Sequence, residues 1–328
     1  FVTECVAANN QYSRGDLDPL AVGPVVRDTS RMFDAYWNHR NAVPYKQLSG
    51  QKKDDGARLQ AVRETLQDNA DTLRDTPYAQ AVRDSLEDFI DGENKKLTWA
   101  PYQLVFDSPD KSLGEEEAED APGIVTPLLR SVRSAQESLL IVSPYLVPRD
   151  NAATGYEALQ DSGIQVDILT NSLSSSDHTL VHSGYASSRK ALLEHGVRLY
   201  EVRGDLHIEG TRESGQRKAK SSLHTKAFIV DKRYFFMGSF NWDPRSADIN
   251  TELGIIIESP EIATRLADRF YKLAPQMCYI PFLDDQGRLR WREFNNGKTE
   301  ILSKEPDTTA YQRLKANLGR VLPVRNQL

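Results

Sequence analysis

Three stretches from Ser138 onward place short apolar runs ahead of polar or helical segments, the alternation from which an α/β layer fold is built. The first is SLLIVSPYLVP, Ser138 to Pro148, and the second is GIQVDILTNSL, Gly163 to Leu173. The second leads into SGYASSRKALLEHG, whose pattern is helical and whose Gly196 predicts the stop. GVRLYEV then predicts a further strand. Between about Val43 and Gly123 the pattern changes. There GARLQAVRETLQDN and YAQAVRDSLEDF read as helices separated by polar breaks, and GEEEAED reads as a solvated loop, because blocked like charge repels itself. TRESGQRKAKSS, Thr211 to Ser222, has no periodicity and predicts a basic loop.

A longer-range pattern is an ungapped internal match between Asp16–Trp37 and Asn250–Tyr271. Asp18 meets Glu252 and Asp34 meets Asp268, and 252 − 18 and 268 − 34 both give 234. Val22, Met32 and Tyr36 likewise meet Ile256, Leu266 and Phe270. Both copies read as strand, turn, amphipathic helix, so the expected architecture is a duplicated one whose first copy is cut short. The expected divisions are 1–45 for the remnant of the first half, 46–123 for a helical linker region and 124–328 for the second half.

Composition narrows the chemistry. With 39% hydrophobic and 27% charged residues the chain has the make-up of a soluble globular protein, and no apolar run approaches the length of a membrane span. The chain begins at Phe1, so a membrane anchor or leader upstream stays open. A formal net charge of −6 lacks the basic footprint of a dedicated nucleic-acid binder. Cys5 and Cys278 lie far apart without metal spacing and read as structural. The signatures of nucleotide, serine-hydrolase and zinc-protease chemistry are absent.

The candidate chemistry follows the basic loop, in LHTKAFIVDKRYFFMGSFNWDPRSADINTELGIIIES. His224, Lys226 and Asp231 form H-x-K-x-x-x-x-D, followed by Gly238, Ser239 and Asn241 and then by Glu252 at the start of the repeated strand. LHTKAFIVD reads as a strand, whose side-chain alternation turns His224 and Lys226 to one face. An ammonium offers positive charge to a phosphoryl oxygen. An imidazole can attack phosphorus or protonate a leaving alkoxide near neutral pH. The pair suits phosphodiester chemistry with no metal and no cofactor. A bare HxK would equally fit a packed histidine beside a surface lysine; Asp231, GSFN and Glu252 move the reading away from that.

HTKAFIVD followed by GSFN resembles the second HKD motif of the phospholipase D superfamily. Further stretches, among them GSFNWDPRSADINTELGIIIES, SPYLVP, TNSLSSSDHTLVHSGYASSRKALLEHGVRLYE, DLDPLAVGPVV with FDAYWN, and the terminal LPVRNQL, resemble the cardiolipin synthase C type. The resemblance implies an α/β fold of two pseudo-two-fold related halves with mixed sheets flanked by helices. It also implies transfer of a phosphatidyl group through a phosphohistidine, with phosphatidylglycerol and a second phospholipid, either phosphatidylglycerol again or phosphatidylethanolamine, as substrates. It points to a bacterial membrane surface, met peripherally or through an anchor upstream of Phe1, and to no nucleic-acid partner. In that superfamily two HKD motifs share one site, and this chain has one. The repeat offset puts the counterpart of His224 at 224 − 234, ten positions before zero, so the first motif is expected to be cut off with the N-terminus.

By the same resemblance His224 is the general acid and base, Lys226 and Asn241 bind phosphate, Glu252 orients His224, and Asp18 would orient the absent histidine. Ser239 would add a hydrogen bond to phosphate, and Asp231, at the far end of the strand, reads as structural. His182 and Tyr185 in VHSGY are either headgroup contacts or partners that satisfy one another beneath the sheet. Arg212, Arg217, Lys218 and Lys220 are either solvated surface or a dock for anionic lipid, where each charge is worth about 1 kcal/mol. The rivals are a phospholipase or nuclease that gives the same intermediate to water, and a non-catalytic binding module.

Overall fold

The computed structural model of the chain describes residues 2–3, 6–8, 12–15, 17–48, 56–74, 80, 97–111, 123–149, 155, 158–159, 161–206, 220–295 and 297–320. Several expectations lie outside these residues: the acidic run, the helix of YAQAVRDSLEDF, Cys5, LPVRNQL, and the basic loop with Arg212, Arg217 and Lys218. Asp18 and Lys220 are described through their backbones alone.

The chain opens with short strands β1 (Val2–Thr3), β2 (Val6–Ala8), β3 (Tyr12–Gly15) and β4 (Asp18–Pro19), then helices α1 (Pro24–Trp37), α2 (Tyr45–Leu48) and α3 (Gly56–Arg74). Strand β5 (Tyr102–Phe106) and helix α4 (Val125–Arg133) precede the predicted alternation. That alternation runs β6 (Ser138–Val142), β7 (Gln165–Asn171), α5 (Thr179–Glu194) and β8 (Arg198–Val202). Next come β9 (Lys220–Leu223), β10 (Ala227–Val230), β11 (Tyr234–Gly238), α6 (Pro244–Asp248), β12 (Leu253–Glu258) and α7 (Pro260–Met277). The chain closes on β13 (Cys278–Leu283), β14 (Leu289–Asn295), β15 (Lys298–Leu302) and α8 (Ala310–Gly319).

Among the described residues, ten strands form one sheet in the order β15-β14-β13-β8-β7-β6-β10-β11-β12-β5. Strands β6, β7 and β8 are parallel, and their neighbours on both sides run antiparallel, so the sheet is mixed. Period-two alternation divides its two faces. Leu139, Ile141, Phe228, Val230 and Phe236 meet α4 and α5 through Leu128, Val132, Tyr185 and Leu192. Their neighbours Leu140, Ile229, Phe235 and Met237 meet α7 through Ile262, Ala263 and Ala267 on the other face. Burying each large apolar side chain in these layers contributes about 1.5–3 kcal/mol. The result is an α/β fold with a large mixed sheet flanked by helices.

Local signals place the ends of several elements. Helix α5 ends at His195, and Gly196 follows at φ 80°, a left-handed conformation that favours glycine. Helix α7 begins where the Ser259 hydroxyl accepts the Ile262 N–H at 3.3 Å. The two copies of the internal match differ in length: β4 has two residues and β12 six, and α1 has 14 residues against 18 in α7. Among the described residues, no helix is long and apolar enough to cross a membrane.

Candidate functional site

The sequence through the motif does not form one continuous strand. Lys220–Leu223 pairs in parallel with β3, while Ala227–Val230 pairs with β6 and β11, and His224, Thr225 and Lys226 lie in the connection between them. This corrects the single strand expected for LHTKAFIVD. The topology still places these residues. Strand β10 runs against β6 with Ala227 opposite Val142, so the approach to β10 lies beside the carboxyl end of β6. The carboxyl ends of parallel strands are where open α/β sheets usually take their ligands.

His224 is half-buried and Lys226 is buried. The Lys226 ammonium donates to the carbonyl oxygen of His224 at 2.6 Å, which folds the basic side chain back along the motif. The carbonyl of Lys226 accepts the Gly238 N–H at 3.2 Å and brings GSFN alongside. Gly238 faces Gly254 across β11 and β12. A Cβ at 254 would stand 2.2 Å from the Phe236 ring, and one at 238 would stand 2.3 Å from the Leu253 carbonyl oxygen, so side chains are excluded from both. This close approach lets Ser239 reach Glu252: its hydroxyl donates to the Glu252 carboxylate and accepts the Leu253 N–H at 3.0 Å.

Asn241 is buried, and its side-chain oxygen has no hydrogen-bond partner among the described residues. Leaving such an atom unpaired costs about 1–3 kcal/mol, a cost that a polar ligand would remove. Its backbone N–H donates to the Ser246 hydroxyl at 3.2 Å. Ser246 in turn donates its N–H to Asp243, the N-cap of α6, at 2.7 Å.

Burial pushes the Asp243 carboxyl up to about 6, against the hydrogen bonds from Ser246, and nearby Glu252 adds to the rise. A raised native pKa means that this group's contribution is complete below the unfolded value of 3.8 and is lost as pH rises through about 6. Asp243→Asn keeps an acceptor for the Ser246 N–H and carries no charge. Unfolding by urea at pH 4 to 8 is expected to show the variant gaining about 1–3 kcal/mol over the parent at pH 7 and little at pH 4. An equal difference at both pH values would remove Asp243 ionisation as the cause.

Three supports come from residues far from the motif in sequence. Asp107, buried at the end of β5, accepts the Glu252 N–H at 2.9 Å and the Ile124 N–H at 3.0 Å, while its own N–H donates to the Glu252 carbonyl at 3.0 Å. Lys111 pairs with that carboxylate at 2.7 Å and donates to the Ser246 carbonyl at 2.9 Å, so one buried ion pair holds both Glu252 and the loop after Asn241. Asn171, at the carboxyl end of β7, bonds both backbone groups of Leu223, donating to its carbonyl at 3.0 Å and accepting its N–H at 2.9 Å. Ser143 ends β6 and accepts the Trp242 N–H at 3.1 Å, closing SPYLVP onto GSFNW.

The remaining candidates sit differently. Asp231 is at the opposite end of β10, at φ 52° in the turn to β11. Its carboxylate accepts the N–H groups of Gln136, Glu137 and Ser138 at 2.9, 2.8 and 2.9 Å, which ties the hairpin to the start of β6. His182 and Tyr185 are both buried, with ring centroids 5.6 Å apart. His182 Nε2 lies 3.1 Å from an Arg189 nitrogen, and the Tyr185 hydroxyl donates to Glu201 at 2.8 Å, so both belong to an enclosed ionic cluster.

Residues 128–274 match the family model described as cardiolipin synthase, PLD-like domain. The chain is 35% identical over 318 residues to cardiolipin synthase C of Escherichia coli (strain K12), covering 94% of this chain and 65% of that protein. It is 31% identical over 140 residues to cardiolipin synthase A of Serratia proteamaculans (strain 568), covering 43% of this chain and 25% of that protein. The chain spans less than two thirds of the length of the relatives that it matches over 94% of itself. Among solved structures, Nuc, a phospholipase D family member from Salmonella typhimurium, aligns with a TM-score of 0.38 and 16% identity over 53% of this chain and 93% of that one. NucT from Helicobacter pylori aligns with a TM-score of 0.40 and 20% identity over 55% of this chain and 98% of that one.

Proposed function

The phospholipase D-like domain that this chain carries is the premise from which we propose that the protein is a phosphatidyltransferase, making cardiolipin from phosphatidylglycerol and a second phospholipid. The observation that carries the proposal is the placement of His224 and Lys226 at the carboxyl end of the parallel strands, with Ser239, Glu252 and an Asn241 amide that keeps one edge open alongside. These groups can hold a phosphodiester and move a proton at its bridging oxygens.

In the proposed reaction a histidine nitrogen from a companion motif, which these 328 residues do not contain, attacks phosphorus. The bond from phosphorus to the headgroup oxygen breaks, and His224 gives its proton to the departing alkoxide. The neutral imidazole then takes the proton of an acceptor lipid hydroxyl as that oxygen attacks the phosphohistidine, which restores both histidines. Lys226 and Asn241 bind the phosphoryl oxygens, and Glu252, held by Ser239 and Asp107, orients and stabilises the His224 imidazolium. The chain is proposed to form the second of two related halves together with a remnant of the first, in which Asp18 serves the companion histidine. It would act at a bacterial membrane surface, met peripherally or through an anchor.

The test is transfer by the protein supplied with its companion motif, on phosphatidylglycerol vesicles with and without phosphatidylethanolamine, with lipids identified by mass spectrometry. Cardiolipin is expected, and it is expected to persist in chelator, because Lys226 supplies the charge that a metal ion would otherwise bring. Phosphatidic acid as the sole lipid product would replace the proposal with hydrolysis. Strand cleavage of DNA with no lipid product would replace it with a nuclease.

A further inference from the structure

The motif's histidine and lysine lie between strands, so the direction of the His224 side chain depends on what fixes its neighbours. On the amino side that neighbour is Leu223, and both of its backbone polar groups are bonded by one side chain, the Asn171 amide, at 2.9 and 3.0 Å. The same Nδ2 group reaches the Pro144 carbonyl at 3.3 Å, just beyond β6. The Asn171 oxygen also accepts the Ser175 hydroxyl at 3.1 Å, and Ser175 is itself 3.2 Å from Ser172. Asn171, Ser172 and Ser175 are all buried, so this bracing is screened from water. A carboxamide suits the position because it donates and accepts in one plane, as a neighbouring strand's peptide would.

We infer that Asn171 is a positioning residue for His224, holding Leu223 so that the imidazole keeps one direction at the carboxyl ends of β6 and β7. The inference rests on the proposed function only for its catalytic consequence. A displacement of about 1 Å in a reacting group can cost about 10²-fold in rate, so a clamp on the preceding residue acts on turnover more than on lipid binding. Aspartate at 171 keeps the acceptor and loses the donors to Leu223 and Pro144. Alanine loses all of them. Alanine at 175 loosens only the brace.

The test reads the His224 ring directly. In protein carrying 13C-labelled histidine, Asn171→Asp and Asn171→Ala are expected to shift and broaden the His224 ring signals, leaving the other histidines in place. Ser175→Ala is expected to give a smaller change in the same direction. Ile168→Val, on the same strand and remote from Leu223, supplies a reference for simple loss of stability. In the transfer assay the Asn171 variants are expected to lose about 10²-fold in kcat with KM within about twofold of the parent. Unmoved His224 signals in a folded Asn171→Asp protein, or signals that move equally in Ile168→Val, would overturn the inference. Should Asn171→Ala fail to fold, Asn171→Asp and Ser175→Ala decide. A parent that transfers no phosphatidyl group would end the proposed reaction, while the ring signals would still judge the clamp.

Discussion

Alanine in place of His224 is expected to lower phosphatidyl transfer by about 10²- to 10⁴-fold while leaving the fold intact. The fold should persist because the hydrogen bond from Lys226 goes to the backbone carbonyl at 224, which alanine retains, and because the imidazole is only half-buried. The proton role can be separated from binding by the choice of leaving group. With a glycerol headgroup the departing alkoxide needs a proton, which the proposed reaction takes from His224. With a nitrophenol headgroup the departing anion is stable without one. The variant is therefore expected to release nitrophenol at a rate much nearer the parent's, yet to remain slow in passing the phosphatidyl group to a lipid alcohol, where the same residue must act as base. Equal loss with both donors would assign His224 to binding or to nucleophilic attack instead.

Arg189→Met is expected to destabilise the protein by about 3–5 kcal/mol, because it removes the guanidinium from a buried cluster of carboxylates. Arg189 is fully enclosed, with its guanidinium 4.9 Å from the Tyr185 ring centroid and 5.2 Å from that of Trp291. It meets Glu305 at 2.7 Å, and its Nε lies 2.9 Å from Glu201. That second contact is an ion pair without hydrogen-bond alignment, since Nε has no hydrogen-bond partner among the described residues. Trp291 and Tyr185 complete Glu201 with donors at 2.9 and 2.8 Å. The cluster joins α5, β8, β14 and the segment before α8, so its loss should loosen that end of the sheet and the C-terminal helix together.

One guanidinium cannot fully compensate two carboxylates, and their titration divides accordingly. Burial raises the Glu201 carboxyl despite Arg189, whereas for Glu305 the attraction of Arg189, with His182, outweighs burial and holds the carboxyl down to about 2. A lowered native pKa means that the Glu305 contribution is present above the unfolded value of 4.5 and is lost as pH falls toward 2. In Arg189→Met this carboxyl loses its partner and its native pKa rises. The acid-induced loss of stability that Glu305 gives the parent is then expected to shrink or vanish. Urea unfolding of both proteins at pH 3 and pH 6 checks this; a difference that stays the same at the two pH values would detach Arg189 from Glu305.

Whatever depends on neighbours along the chain is legible in the residues themselves. Short apolar-rich runs between polar breaks mark β6, β7 and β8 as strands, because pleated positions in a buried sheet favour β-branched and aromatic side chains. Gly196 specified the end of α5, because it adopts a left-handed conformation without a side-chain penalty. The spacing from His224 to Asp231 and the GSFN that follows specified the phosphodiester candidate, since side-chain identity at short separation is written in the residues themselves. Long-range packing sets the break of the motif between two strands of different sheets, because pairing partners such as β3 and β6 are chosen by distant ladders and not by local alternation. It likewise decided that His182 and Tyr185 close around Arg189, and that Asp107 holds Glu252 from 145 positions away. Hydrogen bonds of that span leave no period in the sequence. An aspartate or an asparagine reads the same in a solvated loop as beside the motif, and only packing in three dimensions, by removing water from Asp107 and Asn171, makes their backbone bonds count.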